Sequence, residues 1–166
     1  MYKKYQLFSV AFFGHRQIDN MHIIEPLLEN HIRNIIDEYD DINFIVGRNG
    51  DFDRIVSSCI RRVKKNYRDD NSTHFLLLPY VTAEFRDNQE SFEKYYDEIG
   101  LIESPPHKVH PKGAIAHRNR EMVDMANLII CYCERESGGA YQAVKYALKQ
   151  GKRVINLVDE IEEENY

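Results

Sequence analysis

The sequence is short of most features that announce a function. It has three cysteines, an odd number that cannot close a disulfide framework. Cys131 and Cys133 stand two apart in an apolar run, so in a strand they share a face, and buried reduced thiols are expected over a redox or metal pair. The longest apolar runs, such as Phe75–Pro79 and Leu128–Tyr132, are far too short to span a bilayer. Behind Lys3 and Lys4 the apolar stretch stops at Gly14-His15-Arg16 with no cleavage pattern, so a cytoplasmic protein without a membrane partner is expected. No phosphate-loop lysine follows a glycine-rich turn, and no Ser-His-Asp or Cys-His pattern stands out. His107, His110 and His117 flank a proline-rich stretch, but nothing completes a zinc set around them, so a polar loop and no metal are expected.

What is present fits one domain. The chain has 166 residues, enough for a real core, and its 43% hydrophobic and 30% charged residues are ordinary for a globular protein. The net charge of −5 sits in the tail, where Asp159, Glu160, Glu162, Glu163 and Glu164 meet no basic residue. The remainder carries 22 acidic and 22 basic residues, which argues against nucleic acid as a partner. The tail 159–166 is expected to be a solvated end.

Five apolar segments read as strands: Leu7–Phe13, Asn43–Val46, His74–Tyr80, Leu128–Cys133 and Arg153–Val158. Between the first two, Ile23–Tyr39 carries apolar residues at the spacing of one helix face. After the second strand a helix buries Val56, Cys59, Ile60, Val63 and Tyr67 and turns Arg54, Arg61, Arg62, Lys64 and Lys65 to solvent. A last helix presents Ala140, Ala143, Val144, Ala147 and Leu148, and Gly151 ends it. Strands alternating with helices and apolar throughout predict a parallel sheet covered on both faces. The expected fold is α/β, a Rossmann-like three-layer sandwich with a five-stranded parallel sheet of order 3-2-1-4-5, over residues 1–158 as a single domain. Segment 81–112 breaks the alternation, with a short helix at Ser91–Ile99 and a loop at Ser104–Lys112, and reads as a lid or partner surface.

In that order the first and fourth strands are neighbours and the chain leaves them in opposite directions, which makes a binding crevice. Three glycine loops converge on it: Gly14-His15-Arg16, the loop holding Gly47, Gly50 and Asp53, and Ser137-Gly138-Gly139. The last feeds a helix directly, so free backbone N–H groups and a positive dipole end await a phosphate. Asp53 reads equally as a helix cap or an acceptor for a ribose hydroxyl. Arg118 and Arg120, two apart on a helix, do not share a face. Arg118, four before Met122, lies nearer the sheet and is the favoured contact, with Arg120 second.

These residues together resemble a family. Gly14-His15-Arg16, the run Val46-Gly47-Arg48-Asn49-Gly50-Asp51-Phe52-Asp53, and Arg118-Asn119-Arg120-Glu121-Met122-Val123-Asp124 look like the YpsA-like branch of the Smf/DprA–LOG superfamily. The glycine pair followed by Tyr146-Ala147-Leu148-Lys149 and Gly151-Lys152 fits too, and the likeness runs along nearly the whole chain. It implies a Rossmann-like fold and a nucleotide or nucleotide-derived ligand, NAD-related ones included. The enzymes of the superfamily, the LONELY GUY phosphoribohydrolases, carry an arginine, a methionine four residues on, then PGGxGTxxE after a strand. Arg118, Met122, Gly138 and Gly139 match. Ser137 replaces the proline, Tyr141 and Gln142 stand for Gly-Thr, and Lys145 stands where the catalytic glutamate belongs. A lysine cannot support departure of a base from ribose.

The leading expectation is therefore a small-molecule nucleotide-like ligand, held by Gly14, His15, Arg16, Gly47, Gly50, Asp53, Arg118, Ser137, Gly138 and Gly139, with its phosphate on the glycine pair. No catalytic residue and no further cofactor are assigned, and a homo-oligomer is left open. One alternative is an N-glycosidic hydrolase or transferase, since nucleoside 2-deoxyribosyltransferases have a related fold and a glutamate nucleophile. Glu84 or Glu136 would then serve. Another is a protein-interaction module that works through 81–112.

Overall fold

The computed structural model of the protein describes residues 6–102 and 110–164. Strands and helices alternate: β1 (Leu7–Gly14), α1 (Met21–Glu38), β2 (Asp41–Val46), α2 (Asp51–Asn66) and β3 (Ser72–Leu78) come first. Two short helices, α3 (Ala83–Asp87) and α4 (Gln89–Tyr95), lead to β4 (Glu98–Leu101). Then follow α5 (Pro111–Met125), β5 (Leu128–Tyr132), α6 (Gly138–Lys149), β6 (Arg153–Asn156) and α7 (Leu157–Glu164). All pairings are parallel, in the order β4-β3-β2-β1-β5-β6.

The α/β Rossmann-like architecture is the expected one, but among the described residues the sheet has six strands, not five in the order 3-2-1-4-5. The five anticipated strands keep their relative order, and β4 adds an edge beside β3. The expected helix at Ser91–Ile99 ends at Tyr95, and its last two residues belong to this strand. Two contacts fix it there. Asp97 accepts the His74 N–H through Oδ2 at 2.8 Å and returns its own N–H to the His74 carbonyl at 2.9 Å. Gly100 lies flat on Phe75, where a Cβ would stand 2.5 Å from Cζ. At four residues β4 is too short to show a periodicity of its own, and a short edge also resists pairing with other chains.

Strand β6 ends at Asn156, two residues before the expected limit, because Asn156 starts a helix. Its Oδ1 accepts the Val158 N–H at 3.2 Å, the bond of an N-cap. The acidic end is therefore not a free solvated tail over its described part. Leu157 is fully buried, Val158 and Ile161 pack against the core, and Glu160 meets His31 at 2.5 Å.

Apolar side chains fill both sides of the sheet. On one, Phe12, Phe44 and Tyr132 pack against α1, α2 and α7 through Ile24, Leu28, Ile32, Val56, Ile60 and Leu157. On the other, Ala11, Phe13, Ile45 and Ile129 meet Met122 and Val123 of α5 and Ala143 and Ala147 of α6. Buried on both faces, β5 is apolar throughout, as central parallel strands are. The central register is clipped by Asn127, whose Oδ1 accepts the Ser9 N–H while its own N–H donates to the Ser9 carbonyl, both at 2.8 Å. The three cysteines are free thiols, two buried and Cys133 half-buried. Among the described residues no helix is long and apolar enough to cross a membrane, and no three metal-ligating side chains gather. His110 and His117 belong to the cap and body of α5 and not to a loop; His107 lies outside the described residues.

Candidate functional site

At the carboxyl ends of β1 and β2 the two glycine loops are locked against each other. A Cβ on Gly14 would lie 2.1 Å from the Phe52 ring, and one on Gly50 would lie 2.5 Å from the Arg16 Cα, so both positions need the smallest residue for packing alone. The first amides of α2 are already used: Asp51 N–H donates to the Arg16 carbonyl at 2.9 Å and Phe52 N–H to that of His15 at 3.4 Å. Asp51 Oδ2 accepts the Ile18 N–H at 3.0 Å, and Asp53 Oδ2 accepts that of Asn49 at 2.7 Å. His15, only 6% exposed, accepts the Glu134 N–H on Nε2 at 3.0 Å and so ties β1 to the end of β5. Burial lowers its pKa, Arg135 lowers it further, and the ring is neutral as that bond requires.

The start of α6 is different. Ser137 is extended and makes no side-chain cap, and no acidic residue sits in the first turn. Gly138 has φ +92°, a conformation that side chains avoid, so the turn itself needs that glycine. Around Gly139 the nearest group to a built Cβ is Asn119 Nδ2, at 4.0 Å. The uncapped amides of a twelve-residue helix thus open on free space, with their dipole end unopposed.

Arg118 closes the floor. It is 2% exposed, the largest fully buried side chain, and donates from Nη1 to the Leu77 carbonyl at 3.0 Å and from Nε to Asn119 Oδ1 at 2.9 Å. Across Gly47 it faces Asp53: a Cβ there would stand 3.4 Å from Arg118 Nη1 and 3.3 Å from Asp53 Oδ2. Burial pushes the Asp53 carboxyl up, against the pull of the Asn49 amide and Arg118, and pushes the guanidinium down. Nη2 of Arg118 makes no hydrogen bond among the described residues, and Arg118 lines the cleft.

The glycine loops, His15, Asp53, Arg118, Asn119 and the start of α6 line one cleft of about 980 Å³. Its walls include every one of the ten residues picked out from the sequence: Gly14, His15, Arg16, Gly47, Gly50, Asp53, Arg118, Ser137, Gly138 and Gly139. The sequence reasoning missed most of its charge. Lys112, Arg135, Lys145 and Lys149 line it as well, and so does Arg120, the second choice on α5; with Arg16 and Arg118 that makes, among the described residues, seven cationic side chains against one carboxylate, Asp53. The two arginines two apart on α5 both reach it, since the cleft extends around the helix. Among the described residues none of the six exposed cations is in an ion pair, whereas Arg54, Arg62 and Lys64 of the α2 face are each matched to a carboxylate. The i,i+4 spacing of Lys145 and Lys149 was the available signal. Of the alternative carboxylates, Glu84 is held by Arg48 at 2.7 Å, and neither Glu84 nor Glu136 lines the cleft.

No protein-family model matches the chain, and no curated protein matches it in sequence. Solved structures do. DNA processing protein A (DprA) of Streptococcus pneumoniae superposes with a TM-score of 0.62 at 11% identity, over 89% of this chain and 49% of that one. This chain thus spans about half the length of that protein. DprA of Helicobacter pylori, whose single-stranded DNA binding mode its structure describes, gives 0.63 at 14% identity, over 95% of this chain and 73% of that one. A protein of the same fold that binds single-stranded DNA overturns the expectation that set nucleic acid aside in favour of a small nucleotide-like partner. The physical reason lies in the averaging: a neutral total hides a cleft in which almost all the charge has one sign. At these identities the likeness shows the fold, one that the chain shares with DprA proteins of the Smf/DprA family.

Proposed function

We propose that the cleft binds single-stranded nucleic acid through its phosphates. The observation that carries this is the gathering of unpaired cations around the uncapped α6 amides. Backbone N–H groups, the Arg118 guanidinium in the floor and the exposed lysines and arginines together form an anion site that is long and open at the surface. The fold it shares with a DNA-binding DprA supports the same reading. The nucleotide character expected from the sequence is retained as the repeating unit of the strand, its phosphate on Gly138-Gly139. The motifs around Asp53, Arg118 and Gly151 support a finer place in the YpsA-like branch. Base cleavage finds no support here: Lys145 stands where the resemblance puts the glutamate, and Asp53, which does line the cleft, is held by the Asn49 N–H and faces Arg118.

Anisotropy of a fluorescein-labelled oligothymidylate, titrated with the protein at several salt concentrations, tests the proposal. Engagement of about four phosphates gives a log–log salt slope near −0.7 for each, so a fourfold rise in salt costs roughly fiftyfold in affinity. No binding at low salt, binding insensitive to salt, or binding of AMP without any oligonucleotide would overturn it.

A further inference from the structure

The proposed strand has a path that the cleft's length dictates, and this inference rests on the reading just given. Helices α5 and α6 lie side by side over one face of the sheet, both running back from the carboxyl edge of the strands. They are not level. Asn119 of α5 is the residue beside Gly139 at the start of α6, so the first two turns of α5, with Lys112, Ile115 and Ala116, rise above the α6 terminus as a wall. At about 1.5 Å per residue, Lys112 stands about 10 Å above that level and Lys149 about 15 Å below it. Both line the same cleft. Between them lie Arg120 and Lys145, one on each helix, and Tyr146, whose hydroxyl donates to Asp124 at 2.7 Å and bridges α5 and α6.

A site whose charged ends are about 25 Å apart is not shaped for one nucleotide. Its volume lies at the upper limit of small-molecule pockets, and no single phosphate reaches both Lys112 and Lys149. The charges are spaced, not clustered, and an aromatic ring is set among them, which is the pattern of a track that follows a backbone while bases stack. We infer that the strand runs along the α5–α6 groove from Lys112, across the Gly138-Gly139 turn, to Lys149. Lys112, Arg120, Lys145 and Lys149 are then phosphate contacts. A stacked strand advances about 3.4 Å per nucleotide, so the track holds about seven.

The experiment is a length series of labelled oligothymidylates, from dinucleotide through tetranucleotide and octanucleotide to dodecanucleotide, titrated with the parent, Lys112→Ala and Lys149→Ala. Affinity is expected to climb steeply to the octanucleotide and then level off. Each variant is expected to weaken octanucleotide binding several-fold and to lower its salt slope by about 0.7, while leaving the dinucleotide unaffected. Equal affinity for dinucleotide and octanucleotide, or variants that shift both alike, would overturn the track while the phosphate-binding cleft stands. If no oligonucleotide of any length binds, the track falls together with the reading beneath it.

Discussion

Replacing Arg118 by alanine should unfold the site as well as empty it. The side chain looks like a ligand contact in the sequence, and such a residue could be removed at little cost to the fold. Its burial reverses that expectation. Arg118→Ala withdraws the donor at Leu77, leaving a buried carbonyl short of a partner, a loss of about 1–3 kcal/mol. It also removes the positive charge facing Asp53, whose carboxyl burial already pushes up, and leaves the space of a long side chain. About 2–4 kcal/mol in total is the expected loss, which for a domain of this size lowers the thermal midpoint by roughly 5–15 °C. Scanning fluorimetry of the unliganded protein reads it, and Asp53→Asn in the same background should restore part, because the two groups act on each other across Gly47. An unchanged midpoint for Arg118→Ala, or no coupling with Asp53, would refute the reasoning and return Arg118 to the role of a free cleft cation.

Gly138→Ala should cost about 1–2 kcal/mol in urea unfolding because its φ is positive, while Gly139→Ala, in open space, should cost nothing measurable. Gly139→Val should fold normally and still lose oligonucleotide affinity in anisotropy titrations, by standing where the strand approaches the helix amides. Lys145→Glu should weaken binding and flatten its salt dependence, while Lys65→Glu, on the outer face of α2, should leave both unchanged. His74, 1% exposed between Ser57 and the Tyr95 and Tyr96 rings, has its pKa lowered from 6.5 to about 4 by burial. A base with a depressed folded pKa contributes its full stability above the unfolded value. That contribution is lost as pH falls from about 6.5 towards 4, up to about 3 kcal/mol. Urea midpoints across that window should therefore fall less steeply in His74→Gln than in the parent.

The order of the five anticipated strands, the two covered faces of the sheet and the meeting of three glycine loops at one edge were legible in the sequence. They follow from local pattern and from crossover rules that hold for any chain of this kind. Where structure departed from the reading, the deciding contact lay far along the chain. Strand β4 exists because Asp97 clips to His74 and Gly100 fits under Phe75, and four residues carry no pattern that says so. Burial of Leu157 in the core and the contact of Glu160 with His31 turn an acidic tail into a docked helix. Arg118 is recognisable as a candidate cleft residue, but only packing makes it part of the floor. The cleft's charge was the least accessible of all. Lys112, Arg120, Arg135, Lys145 and Lys149 come from two helices and a loop, and in the sequence each is cancelled by acids elsewhere. Charges act over about one Debye length, roughly 8–10 Å, so the field at a site depends on which of them the fold brings within that distance. Composition determines the sum of the charges, and tertiary structure alone decides where it is felt.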